Sequence, residues 1–218
     1  EVKSNEFKQL AHKQRSFVEA VLDGYKEASD NLGAQLKIGL DEFPAYVADE
    51  KKSCFVEWMQ VHYDCPLTRK GITLVDTPGA DSVNARHTDV AFEYIRSADA
   101  VLFITYYNHP FSKADESFLT QLGRVKDAVS MDKMFFLINA ADLARSEKEL
   151  AGVLEYMKEQ LLRFQIRNPQ IFPVSSLYAL REDLDEEEII AEARDGFPEF
   201  EKRFYTFIEK ELPQVLIR

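Results

Sequence analysis

Two nearly continuous apolar runs, Ala100 to Tyr107 (AVLFITYY) and Lys133 to Ala140 (KMFFLINA), constrain the fold of this chain more than any other feature. Short runs this apolar, rich in β-branched and aromatic residues, predict strands buried on both faces. Between them, Ser112 to Asp115 (SKAD) reads as a capping box that opens a helix running to about Asp127. A long helix is predicted over about 145–165. Gln170 to Ser176 (QIFPVSS) is predicted as a last strand, with Pro173 marking a sheet edge or the strand's end. Strand, helix, strand, helix, strand in that order requires crossover connections. The class is therefore α/β, a mostly parallel sheet with helices on both faces.

The flanks read differently. Phe7, Leu10, Phe17, Val18, Val21, Leu22 and Tyr25 recur at helical spacing and predict an N-terminal helix. Ser29, Asp30, Asn31 and Gly33 punctuate it, and a short helix is expected after Asp41 with Pro44 in its first turn. Residues 53–63 and 71–75 suggest two strands of an antiparallel hairpin, turned by Asp64 to Lys70, where Pro66 stops the first strand. A loop and helix are expected over 80–97. Asp183 to Glu188 places acids in the first turn of a tail helix. Phe200, Phe204, Phe207 and Ile208 form one stripe of an amphipathic helix over 197–212. The expected organisation is a helical segment over 1–52, an α/β core over 53–180 and C-terminal helices over 181–218.

A net charge of −11 argues against a surface built to bind nucleic acid. Cys54 and Cys65 form no metal or redox motif and suggest packing residues in a reducing compartment. The four histidines, His12, His62, His87 and His109, have no ligand spacing. No apolar run is long enough to cross a bilayer. The chain opens on Glu1 and not on methionine, which reads as a fragment or a processed protein.

The chemistry gathers at strand ends. Gly71 to Gly79 (GITLVDTPG) runs an apolar strand into Asp76, Thr77, Pro78 and Gly79. A carboxylate at the carboxyl end of a strand sits where ligands bind in open parallel sheets, and Asp76 could hold Mg²⁺ through a water. Gly79, lacking Cβ, could bring its N–H to a terminal phosphate. Asn139, Ala140 and Asp142 follow the second apolar run. An aspartate there can accept from guanine N1–H and the 2-amino group together; adenine offers neither donor. Asn139 and Asp142 could equally cap the next helix. Ser175 and Ser176 follow the last strand, where hydroxyl and backbone groups could meet the guanine carbonyl. Three such loops in this order, each directly after a strand, point to a guanine nucleotide site. The phosphate-cradling motif Gly-x-x-x-x-Gly-Lys-Ser/Thr occurs nowhere in the sequence.

With Gly71–Gly79, Ser97–Ile104 (SADAVLFI), Phe135–Asn139 (FFLIN) and Pro173–Ser176 (PVSS), the chain resembles the dynamin superfamily, and bacterial dynamin-like proteins in particular. The resemblance implies a Ras-like, dynamin-type G domain that binds GTP and GDP with Mg²⁺, and with a monovalent cation in some members. It implies self-association across the nucleotide face and membrane tethering, fusion or scission through a helical stalk. Lipid contacts would lie outside this chain, and the protein would be cytoplasmic and peripheral at the inner face of the cell membrane. The helix at 197–212 would begin the neck.

Two departures stand out. Ala140 replaces the usual lysine, whose stem covers the base, and Ala80 stands where many small GTPases carry glutamine. The resemblance also places the strand preceding the phosphate loop centrally, between the Asp76 strand and the strand at 100–107. That strand is expected from another chain, a separate N-terminal piece or a rearrangement. A fragment lacking the phosphate loop is expected not to hydrolyse GTP. The alternative is a degenerate pseudo-GTPase that serves as an interaction module.

Overall fold

The computed structural model describes residues 12–77, 94–95, 97–124, 133–181 and 189–213. Phe7, Leu10, Pro78, Gly79, Ala80, His87 and Asp183–Glu188 lie outside the described residues, as does most of the loop and helix expected over 80–97. The chain divides into two compact units, Glu1–Thr73 and Leu74–Arg218.

In the first unit, helix α1 (His12–Ala28) packs against α3 (Glu50–Ser53), with the short α2 (Phe43–Ala48) before it. Pro44 sits in the first turn of α2, where its missing N–H costs nothing. Asp49 caps α3, its carboxylate accepting from Lys51 N–H at 3.0 Å. Gly24 of α1 lies so close to the Lys51 carbonyl and the Phe55 ring that a side chain there would collide with both. Tyr25 and Phe55 rings stand 6.5 Å apart beside this contact.

The hairpin expected over 53–75 is not formed. Residues 56–64 and 72–77 belong to no strand, and Pro66–Arg69 forms a helical turn, α4. Local bonds explain that turn. The Thr68 hydroxyl donates to Tyr63 O at 2.6 Å and accepts from Cys65 N–H at 3.0 Å, and Arg69 donates twice to Asp64 at 2.7 Å. An isolated two-stranded hairpin is marginal in water unless a third strand or a helix completes it. Trp58 and Tyr63 accordingly stand 59% and 65% exposed.

The second unit is built on a parallel sheet of β1 (Val101–Tyr106), β2 (Met134–Asn139) and β3 (Gln170–Pro173), in that spatial order. The register pairs Leu102 with Phe135, Ile104 with Leu137 and Tyr106 with Asn139. α5 (Lys113–Arg124) connects β1 to β2, and α6 (Glu147–Arg163) connects β2 to β3. Ser112 caps α5 as expected: its N–H donates to Asp115 Oδ2 at 2.8 Å, and its Oγ accepts from Asp115 N–H at 3.3 Å. Phe103, Phe136 and Ile138 bury one face of the sheet with Leu119, Leu122, Leu150, Met157 and Leu161. On the other face Phe135 meets Phe200, Phe204 and Phe207 edge-on, with centroids 5.4–6.1 Å apart. These come from α8 (Ala191–Thr206) and the π-helical turn that follows it, Phe207–Glu211. α8 thus starts earlier than the stripe at 197–212 suggested. The short α7 (Ser176–Leu180) follows β3.

β2 is buried on both faces, as its apolar run demands. β1 is not. Phe103, Thr105 and Tyr107 are buried, but Ile104 is 62% and Tyr106 48% exposed. Helix α8 packs on β3 and meets Phe135 of β2, so this face of β1 stays open among the described residues. The β1 edge away from β2 likewise pairs with no strand among them.

Gly196 of α8 sits directly on the Pro173 carbonyl, and a Cβ there would overlap the oxygen and its carbon. Gly196→Ala should therefore push α8 off β3 and cost about 1–3 kcal/mol, read as a lower urea midpoint at unchanged m value.

Candidate functional site

The carboxyl ends of β1, β2 and β3 face one edge of the sheet, because all three strands run parallel. Side chains placed just after each strand therefore converge there. Asn139 closes β2, and its side-chain Oδ1 accepts from Ser176 N–H at 3.0 Å, tying the loop after β2 to the loop after β3. Ser175 is buried, and its hydroxyl caps α7 by accepting from Tyr178 N–H. Asn139 and Ser176 are thus brought together, while the Ser175 side chain serves its own helix.

The loop after β2 is tightly specified. Ala140 adopts a left-handed conformation, φ 61° and ψ 35°, and turns the chain into a 3-10 turn over Ala141–Leu143. Ala141 is fully buried, and its N–H donates to Val174 O at 3.0 Å, so this loop too is fastened to the end of β3. Asp142 follows. Its Oδ1 is buried and accepts no hydrogen bond among the described residues. A buried carboxylate oxygen without a donor is costly unless something supplies one.

β1 contributes more than the sequence indicated. A cleft of about 490 Å³ lies at its carboxyl end, lined by Ile104, Thr105, Tyr106, His109, Ser112, Asp115 and Asn139. The Thr105 hydroxyl in it is buried and unpartnered among the described residues. Part of the signal was available, since Ile104, Thr105 and Tyr106 end β1 and His109 and Ser112 follow it at the same sheet edge. No motif marked Ile104, Thr105, Tyr106 or His109, and the Ser112–Asp115 motif points only to a helix start. Tyr107 is buried; burial, and then the neighbouring Glu149 carboxylate, push its phenol above the usual range. Its hydroxyl donates to Glu149 Oε1 at 3.0 Å.

Asp76 lies outside any strand and is exposed, and Thr77 is half-buried. No hydrogen bond or ion pair among the described residues ties Asp76 to Asn139, Asp142 or Ser176. The structure thus ties the loop that carries Asn139 and Asp142 to the loop that carries Ser176. No group of three or more His, Cys, Asp or Glu side chains is placed to hold a metal among the described residues. Among them, too, no helix is long and apolar enough to cross a membrane.

Residues 1–141 match the model of the Dynamin family. This chain belongs to the dynamin family. It is 49% identical over 168 residues to Dynamin-like protein A of Bacillus subtilis, covering 77% of this chain and 13% of that protein. It is 27% identical over 181 residues to Bacterial dynamin-like protein of Nostoc punctiforme, covering 74% of this chain and 25% of that protein. A solved bacterial dynamin, described as an oligomerised pair that senses and tethers membranes at long range, superposes with a TM-score of 0.69 at 21% identity. It covers 94% of this chain and 29% of its own. That likeness establishes the shared fold. The dynamin-family chain described here therefore spans well under half of each of these relatives.

Ala140 offers a test of the loop. An L-residue in the left-handed region costs about 1–2 kcal/mol, part of which glycine recovers against its larger unfolded-state entropy. Ala140→Gly should raise stability by about 0.5–1 kcal/mol, measured by urea denaturation. Asn139→Ala should cost about 1–3 kcal/mol by leaving the part-buried Ser176 N–H without an acceptor.

Proposed function

We propose that this chain forms the guanine-reading part of a GTP-binding, GTP-hydrolysing head in a dynamin-like protein that remodels membranes. The observation that carries the reading is the buried, unpartnered Oδ1 of Asp142, beside a loop held by Asn139 and Ser176. Guanine presents N1–H and a 2-amino group to one carboxylate, and adenine would leave that carboxylate unsatisfied. Ala140, Ser175 and the backbone of Ser176 complete the proposed base site.

The phosphate side is assigned to Asp76, Thr77, Pro78 and Gly79. Asp76 would hold Mg²⁺ through water, which suits an exposed carboxylate and a cation that sheds its hydration reluctantly. The metal would screen charge on the phosphates. No residue of this chain is assigned as a general base. Hydrolysis would draw on a phosphate loop, a monovalent cation or a second head, so the chain alone is proposed to be inactive. The proposed division is a helical segment over 1–52, a partial G domain over 53–180 and neck-leading helices over 181–218. Self-association through G domains, lipid contact outside this chain and a place at the inner face of the cell membrane belong to the same proposal.

A second reading has its own support. Ala140 lacks the stem that would cover the base, and the sequence lacks Gly-x-x-x-x-Gly-Lys-Ser/Thr. A pseudo-GTPase acting as a protein-interaction module would carry both features.

Calorimetric titration of GTP, GDP and ATP with Mg²⁺ separates the two. The protein should be tested as this chain and as a form extended upstream through a phosphate loop. Guanine-selective binding in the extended form, lowered roughly 100-fold by Asp142→Ala, is the expected result. Binding of neither guanine nucleotide by either form would support the interaction module.

A further inference from the structure

We infer that Tyr107 and Glu149 are positioning residues that hold the Asp142 loop in its base-reading geometry, and so set guanine selectivity without touching the nucleotide. This rests on the base-reading role proposed above for Asp142.

The loop is fixed at two points. At its start, Ala141 N–H donates to Val174 O at 3.0 Å. At its end, Arg145 N–H donates to Glu149 Oε2 at 3.2 Å. Asp142 lies between these anchors. Glu149 stands in the first turn of α6, and its own N–H donates to the capping hydroxyl of Ser146 at 3.2 Å. Its other oxygen, Oε1, accepts from the Tyr107 hydroxyl at 3.0 Å. Tyr107 is buried just past β1, and its N–H donates to Asn139 O at 2.8 Å. One carboxylate therefore joins the end of the loop to the end of β1, and the same tyrosine holds the end of β2 where the loop begins.

The closed circuit matters because a carboxylate discriminates between bases by direction. A shift of a few tenths of an ångström at Asp142 weakens its bonds to N1–H and the 2-amino group, while contacts to the phosphates are unchanged. Loss of the clamp should therefore lower selectivity among bases more than it lowers affinity for nucleotides in general.

GDP and IDP make the readout specific, since IDP differs only by lacking the 2-amino group. Their affinities should be measured by calorimetry with Mg²⁺ on the upstream-extended form of the protein and on its Tyr107→Phe, Glu149→Ala and Glu149→Gln variants. Glutamine can still accept from Arg145 N–H and donate its amide to the Tyr107 oxygen, so Glu149→Gln should keep the GDP-to-IDP ratio. Tyr107→Phe and Glu149→Ala should lower that ratio about tenfold. A wild-type preference for GDP that both variants keep would overturn the clamp and leave the base reading standing. An equal loss for GDP and IDP would show a structural role only, and would also overturn it. No wild-type preference for GDP would remove the base reading, and the clamp with it. Should Glu149→Ala fail to fold, Tyr107→Phe, which removes one oxygen from an otherwise unchanged ring, decides the matter.

Discussion

The described part of the second unit is organised by the burial of β2 on both faces. Phe135 and Leu137 point one way, Met134, Phe136 and Ile138 the other, and all five are buried. Such a strand has no solvent side, so helices must cover both faces. The Phe200, Phe204 and Phe207 rings close one face around Phe135, and α5 and α6 close the other around Phe136. Each fully buried aromatic contributes roughly 1.5–3 kcal/mol of transfer free energy, so the strand cannot slip by one residue without exchanging one packed face for the other. That fixed register decides where Asn139 ends, and hence where the loop carrying Asp142 begins.

The same parallel pairing explains why three loops far apart in sequence meet. Asn139 and Ser176, 37 positions apart, are hydrogen-bonded because their strands are neighbours running in the same direction. The Pro173 carbonyl in turn supports Gly196 of α8, so the end of β3 carries the loop at Ser175 and Ser176 on one side and a C-terminal helix on the other. Backbone packed against backbone leaves little room for relative movement, and the helix and the loop share one support.

The strands β1, β2 and β3 were legible because their apolar runs have no other stable place than a sheet. The Ser112–Asp115 capping box and the Phe200, Phe204 and Phe207 stripe were legible because both depend on neighbours along one helix. The hairpin was not, since its alternating pattern states only that a strand could form. Pairing needs a partner, and over Asp64–Arg69 local side-chain bonds prevail instead. The bare face of β1 was hidden for a related reason. Ile104 and Tyr106 look like core residues in sequence, and only the position of α8 shows that nothing described covers them. At the site, order along the chain was enough to link Asn139 with Ser176. The Tyr107–Glu149 contact spans 42 positions and arises from tertiary packing alone. Its only local trace is the Ser146-x-x-Glu149 capping pattern, which explains the helix start and not the second use of the carboxylate.

Ala140 shows how the loop's shape and its covering of a base can separate. Three backbone bonds shape the turn itself: Leu143 N–H to Ala140 O at 3.1 Å, Ala144 N–H to Ala141 O at 3.1 Å and Ala141 N–H to Val174 O at 3.0 Å. None uses the side chain at position 140. The left-handed conformation costs about 1–2 kcal/mol for an alanine, and it persists because the neighbouring bonds fix it from both sides. A lysine stem at this position would add apolar cover over a bound base, worth about 25 cal/mol for each Å² removed from water. It would add nothing to the direction of the Asp142 carboxylate. On the proposed reading, then, the alanine lowers affinity for every base alike and leaves the choice among bases to Asp142 and the groups that hold its loop.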